Sequence, residues 1–328
     1  MKVLHITNGY PTENLPEYCI FTKDQLDNVR SMYDLDTDFI FINARELGWS
    51  SYIRAVPKIV KMSRSADVIH VFHGLTFLLV YLCCPRKKII VSFLNSIENE
   101  YQEKSYVASL LTYVTKIFIR DKRVFKIFKG SIPDYASARS YHLPNGVDTE
   151  YFKPIAKEEA KQRLGLDPGK RYILFVSSKS LTRSQKRFDR FASVLNELQN
   201  RLPNVEALTV SSVTRADLIL YYCASDIHLL TSDFEGSPNS VKEALSCNLP
   251  VVSTDVGNVR EMIYGIPACH ISDSSEVSAI VELCLDTLLN HENSSHNLRG
   301  YIFSKGLDMK SKTTELYNVY LEVTGSDC

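Results

Sequence analysis

Short β-branched runs alternate with longer amphipathic stretches along the chain, which is the pattern of a parallel α/β fold. In the first half, Val3–Thr7, Thr37–Asn43, Val68–Phe72 and Ile89–Phe93 predict strands. The stretches Tyr18–Met32, Tyr52–Met62, Leu75–Cys83 and Glu98–Phe118 carry helical spacing between and after them. A Pro/Asn/Gly break at Leu143-Pro144-Asn145-Gly146-Val147-Asp148 and a connector at Tyr151–Pro154 interrupt the pattern. It then restarts with strands at Tyr172–Val176, Val205–Val210, Ile227–Leu230 and Val251–Ser253. Helices fall at Arg187–Asn200, Ala216–Cys223, Pro238–Cys247 and Arg260–Ile263, with a helical tail from Val277. Two doubly wound domains are predicted, 1–145 and 146–305, with a tail, 306–328, that packs back toward the first.

The chain has 328 residues, 45% hydrophobic and 23% charged, which excludes a disordered or fibrous protein. No apolar run reaches the length of a membrane span, and Met1–Thr7 reads as a strand, not a signal peptide. Lys+Arg and Asp+Glu are balanced at 38 each, against a dedicated nucleic-acid binder. The balance conceals an asymmetry. Residues 1–145 hold 19 basic and 14 acidic side chains, an excess of five positive charges. The eight cysteines form no C-x-x-C pair and half sit in apolar runs, so they read as reduced thiols and the protein as cytoplasmic.

No G-x-G-x-x-G or P-loop follows a strand, against a dinucleotide dehydrogenase or P-loop NTPase. The informative segment is Asp233-Phe234-Glu235-Gly236-Ser237-Pro238-Asn239-Ser240-Val241-Lys242-Glu243-Ala244. Ser237 as N-cap and Pro238 as first helical residue predict a helix start, and Asn248 with Pro250 predicts its end. The open amides of Asn239, Ser240 and Val241 would receive a phosphate. Glu235 before the helix and Glu243 two turns inside it would accept hydrogen bonds from sugar hydroxyls on either side. Asp34-Leu35-Asp36-Thr37-Asp38 spells D-x-D, but it joins a helix to a strand and reads as a solvated turn. No His/Cys cluster has zinc spacing, so no metal or other cofactor is expected.

The run from Leu229 to Gly257, together with Leu143–Asp148, Ile6–Pro11 and Ile20–Gln25, resembles the retaining glycosyltransferases of family 4. The resemblance implies a GT-B fold, two Rossmann-like domains facing a central cleft. The first would bind the acceptor and the second a nucleotide-diphospho-sugar. It implies that Glu243 binds ribose, that Glu235 binds the donor sugar or supports the reacting centre, and that the 239–241 amides receive the diphosphate, with Gly236 also in the donor-binding set. Lys186 matches the family lysine that stabilises the leaving phosphate. Ser177-Ser178 replaces the usual Gly-Arg, so Arg183 takes the arginine role and Ser178 stays in the donor set. Gly9 would permit close backbone approach between the domains and is counted in the donor-binding set. Many relatives carry His-Gly where this chain has Leu94-Asn95; His73 and Asn95 are the acceptor-binding candidates.

The segment 116–129 holds six basic residues and three phenylalanines, and Arg54, Lys58, Lys61 and Arg64 form a basic stripe. Both suit an anionic membrane, and 116–129 is the predicted docking segment. The functional expectation is a metal-independent, retaining hexosyltransferase using a UDP- or GDP-sugar. Its acceptor would be a polyprenyl-linked glycan of a bacterial surface polysaccharide, such as lipopolysaccharide O-antigen or capsule, met at the inner face of the cytoplasmic membrane. The alternatives are a catalytically degenerate GT-B partner subunit and a GT-B nucleotide-sugar epimerase.

Overall fold

The computed structural model describes residues 1–94, 96–98, 100–101, 105–177, 183–211, 213–290 and 297–325. The chain forms two compact units, Met1–Gly146 with Met309–Cys328, and Val147–Asp308.

The first unit runs β1 (Lys2–Thr7), α1 (Ile20–Tyr33), β2 (Asp36–Phe41), α2 (Ala44–Leu47), α3 (Ser50–Ser63), β3 (Val68–Phe72) and α4 (Gly74–Cys83). It continues through β4 (Lys88–Phe93), α5 (Tyr106–Phe118), β5 (Val124–Phe128) and β6 (Ser140–His142). Its sheet is parallel in the order β2-β1-β3-β4-β5-β6. Central strands are apolar on both faces because helices cover both. Ile69, Val71, Ile89 and Val91 point to the side packed by Phe77 of α4, while Val68, Ile90 and Ile127 point to the other. That other side is closed by the last helix of the unit, contributed by residues 309–324, whose Leu316, Val319, Tyr320 and Val323 are buried there.

A buried polar chain ties this helix to the sheet. The Tyr320 hydroxyl lies 3.0 Å from His5 Nε2 and 2.7 Å from His70 Nδ1, and His70 Nε2 lies 2.8 Å from Ser92 Oγ. Burial pushes His5 down to about 3 and His70 well below the ordinary imidazole value, so both are neutral.

Two expectations for this unit are corrected. The helix predicted over Glu98–Phe118 begins at Tyr106, because Ser105 caps it by accepting the Ala108 amide at 3.1 Å. The segment 116–129 is not a docking surface as a whole, since it contains β5, paired with β4 and β6. Lys126 and Lys129 are only 4% and 2% exposed, and Phe128 is in the core. Lys126 donates to the carbonyls of Ile119 and Ala138, and Lys129 to Gln25 Oε1. Burial brings these two lysines down to about 8 and about 7.

The second unit runs α6 (Lys157–Leu164), β7 (Arg171–Ser177), α7 (Phe188–Arg201), β8 (Val205–Ser211), α8 (Arg215–Ala224) and β9 (Ile227–Leu230). It continues through α9 (Asn239–Ser246), β10 (Val251–Thr254), α10 (Val259–Ile263), β11 (His270–Ser272), α11 (Val277–Asn290) and α12 (Leu298–Ser304). Its parallel sheet has the order β11-β10-β9-β7-β8. The helical tail expected from Val277 is three helices, α11, α12 and α13 (Met309–Thr324), the last in the first unit. α9 starts at Asn239, with Pro238 at ψ 117 as its N-cap, one residue later than predicted. Ser237 does not cap; its Oγ accepts from the buried Lys242 at 3.0 Å. Asn248 takes the left-handed conformation, φ 58, that the sequence predicts for it.

Both sheets reverse their strand order once, between β1 and β3 and between β7 and β9. In such sheets ligands bind beyond the carboxyl ends of the strands at that reversal.

Candidate functional site

In the second unit, the strand ends at the reversal lead into two loops, 183–187 after β7 and 231–238 after β9. The loops are stitched together. The Asp233 amide donates to Gln185 O at 2.8 Å, and Thr231 Oγ1 lies 3.0 and 3.1 Å from the carbonyls of Lys186 and Arg187. Arg190, 8% exposed, donates to Thr231 O and Asp233. This scaffold brings Lys186 Nζ within 2.7 Å of Glu235 Oε1, both side chains only 11% exposed. Ser232 Oγ donates to the same oxygen at 2.8 Å. Arg183 stands at the head of the first loop, where it donates to Gln185 Oε1 at 3.0 Å. Ser178 lies outside the described residues.

Gly236 carries the chain from Glu235 toward α9, and its carbonyl accepts from the Asn258 amide at 3.1 Å. Gly257, at φ +56, approaches so closely that a Cβ there would lie 2.2 Å from Gly236 O. Only glycine fits this position, so Gly257 fixes the backbone on which Glu235 stands. The Ser240 hydroxyl turns inward to His228 Nε2 at 3.0 Å, and Val241 is fully buried, leaving the first amides of α9 as their polar contribution. Burial pushes His228 down to about 3, so it is a neutral support for Ser240. Asn239 Oδ1 is buried without a hydrogen-bond partner. Glu243 Oε2 accepts from Tyr222 OH at 2.7 Å, and burial raises its carboxyl above the ordinary value. The second unit therefore gathers a lysine–glutamate pair, a helix N-terminus and a half-buried glutamate. Sequence reasoning gave no role to Tyr222, Ser232 or Lys242, although the last two lie inside the run that carries the resemblance.

In the first unit, a pocket of about 320 Å³ opens at the reversal between β1 and β3, lined by residues including Asn8, Trp49, Tyr52, His73, Glu100 and Tyr101. His73 has φ 73, a strained value for a non-glycine residue. Its Nδ1 faces Glu100 Oε1 at 3.5 Å, and the Gly74 amide donates to that oxygen at 2.9 Å. Burial opposes charge on the ring, but contact with Cys19 and Glu100 prevails and lifts His73 to about 10. Gly9 makes room for this arrangement, since a Cβ there would stand 2.7 Å from Cys19 Sγ and 3.0 Å from His73 Nε2. Asn8 donates to Tyr52 OH at 2.7 Å, while its Oδ1 and Glu100 Oε2 are buried without partners. Asn95 lies outside the described residues. Glu100 and Asn8 were not foreseen: Glu100 sits in letters that read as helix. Among the described residues no group of three His, Cys, Asp or Glu side chains is placed to hold a metal ion.

Residues 192–290 match the family described as Glycosyl transferases group 1, a span that covers β9, the Glu235 loop and α9. The lipopolysaccharide core biosynthesis mannosyltransferase LpsB of Rhizobium meliloti is 28% identical over 180 residues, 46% of this chain and 50% of that protein. The chain spans about half the length, or less, of the curated relatives it matches. Among solved structures, sucrose-phosphate synthase from Thermosynechococcus elongatus superposes with TM-score 0.73 at 14% identity, covering 100% of both chains. Anabaena HepE in complex with UDP and glucose gives TM-score 0.72 at 13% identity, over 98% of this chain and 99% of that one. The chain thus has the GT-B fold, and its residues 192–290 are similar to the group 1 glycosyl transferases.

Proposed function

We propose that the protein is a retaining glycosyltransferase of family 4 that moves a sugar from a UDP- or GDP-sugar to a polyprenyl-linked glycan acceptor of a bacterial surface polysaccharide. The observation that carries the reading is the Lys186–Glu235 pair at 2.7 Å, held at the strand reversal on the loop that enters α9. The names of LpsB, a mannosyltransferase of lipopolysaccharide core biosynthesis, and of HepE in complex with UDP and glucose support it.

In this reading the diphosphate lies on the amides of Asn239 to Val241, with Glu243 toward the ribose and Glu235 toward the donor sugar. Lys186 exchanges part of its contact with Glu235 for the phosphate, and Arg183 joins it there. The acceptor hydroxyl attacks the anomeric carbon on the face the phosphate leaves, with His73 as the acceptor-binding candidate. Its proton passes to the departing phosphate oxygen, the bond from carbon to that oxygen breaks, and configuration is retained. The two cations stabilise the charge developing on the leaving group without a metal.

The test is turnover of UDP- and GDP-sugars with lipid-linked and short soluble acceptors. Transfer should survive EDTA, and Lys186→Ala should lower turnover by about a hundredfold. Tight nucleotide binding without turnover of any donor would favour a partner subunit instead. Loss of activity in EDTA, or a near-normal Lys186→Ala protein, would defeat the cationic leaving-group mechanism.

A further inference from the structure

Helix α5 is apolar where it meets water. Of the sixteen large hydrophobic side chains exposed among the described residues, five belong to this one helix. Tyr106 is 84% exposed, Tyr113 65%, Val107 63%, Leu110 49% and Ile117 44%. Positions 106, 110, 113 and 117 recur at helical spacing, so they form one stripe about 16 Å long. The opposite side is apolar as well, with Ala108 buried and Leu111, Val114 and Phe118 packed on the core. Lys116 is the helix's single charged residue. A polar strip of Ser109, Thr112 and Lys116 runs along one side of the helix, but the stripe itself is an apolar face for which the fold supplies no cover.

The surroundings of the stripe carry a basic excess, since the neighbouring acids Glu98 and Asp121 are paired with Lys116 and Arg123. Arg120 and Lys122 follow it and are exposed. α3 and α5 both pack against α4 in one layer of the unit. α3 and its C-cap expose Arg54, Lys58, Lys61 and Arg64 and hold no acidic residue, with Ile53 76% exposed among them. A second copy of the chain docked on this face by a two-fold axis across α5 would bring these cations against one another. An anionic bilayer satisfies both features: cations at the headgroups, tyrosines at the interface, and Leu110 and Ile117 among the upper acyl carbons.

We propose that the stripe Tyr106–Leu110–Tyr113–Ile117 of α5, flanked by the cations of α3, is a docking surface for an anionic phospholipid bilayer. This stands apart from the sugar-transfer reading, and neither depends on the other. The docking element is therefore α5 with α3, which shares only the start of the segment 116–129; Lys126 and Lys129 at its far end are buried.

Flotation of the full chain with phosphatidylcholine vesicles, with and without phosphatidylglycerol, tests it. The chain should float with the anionic vesicles at low salt and be released near 1 M salt, where the Debye length falls to about 3 Å. Leu110→Ser/Tyr113→Ser should lower partitioning by about tenfold or more, with the thermal transition unchanged, because both side chains already face water. Lys58→Gln/Lys61→Gln/Arg64→Gln should weaken binding to anionic vesicles and leave binding to neutral ones as it was. A Tyr113→Trp/Trp49→Phe protein, with its single indole on the stripe, should shift its fluorescence to the blue on adding anionic vesicles. Equal partitioning by the wild type and the serine variant overturns the proposal, as does an unshifted indole. So does a dimer in solution that the serine variant splits, because the stripe would then be covered by a second copy.

Discussion

Glu243 shows how a residue on the predicted helix can be held for work by a partner the sequence does not announce. One carboxylate oxygen takes the Tyr222 hydroxyl, and burial raises its proton affinity. Orienting the group in advance reduces what a ligand must spend on ordering it. Glu243→Ala should weaken nucleotide-diphosphate affinity about tenfold, since hydrogen bonds to charged groups contribute roughly 1.5–3 kcal/mol. Calorimetric titration with UDP and GDP reads this directly, and an unchanged affinity would remove Glu243 from the nucleotide site. The residues legible in the sequence were those a local rule constrains, such as Asn248 at its left-handed cap. Tyr222, Ser232 and Glu100 were not legible, because each acts on a partner fixed only by tertiary packing. The Lys186–Glu235 pair lies between these cases. Both letters could be singled out, but their meeting depends on Thr231 and Asp233 stitching one loop to the other.

At the scale of elements, hydrophobic periodicity located the strands at the sheet centres and failed where burial and charge part company. β5 and the residue after it, Val124 to Lys129, mix phenylalanines with lysines and read as part of a basic docking segment. Lys126 and Lys129 are buried because carbonyls and Gln25 receive their ammonium groups. The start of α5 was set by Ser105, a weak letter inside a long helical run. α13 offers a test of how elements are joined. Its Tyr320 sits between His5 and His70, which are neutral in the fold and titrate near 6.5 when unfolded. Protonation favours the unfolded chain, so the stability this joint contributes is fully present above about pH 6.5 and is lost as pH falls toward 3. Tyr320→Phe leaves both imidazoles short of a partner and should cost about 1–3 kcal/mol at neutral pH. Denaturant melts of the two proteins across pH 7 to pH 5 check both statements. A variant as stable as the wild type would show the joint to be energetically idle.

For the whole molecule, the two units are unequal in how the chain supplies them. Val147–Asp308 is continuous, whereas the first unit needs Met309–Thr324 to cover one face of its sheet. Without that helix, Val3, Val68, Ile90 and Ile127 lose the cover of Leu316, Val319, Tyr320 and Val323. In refolding followed by pulsed hydrogen exchange, amides of β7 and β9 should gain protection before those of β1 and β3. Simultaneous protection would contradict this order. The same asymmetry bears on birth at the ribosome, where synthesis proceeds at roughly 5–20 residues per second and domains form as they emerge. The half translated first is the half finished last. For the time taken to make the whole second unit, a nascent sheet waits with one apolar face bare, which is the interval when a chaperone has most to protect.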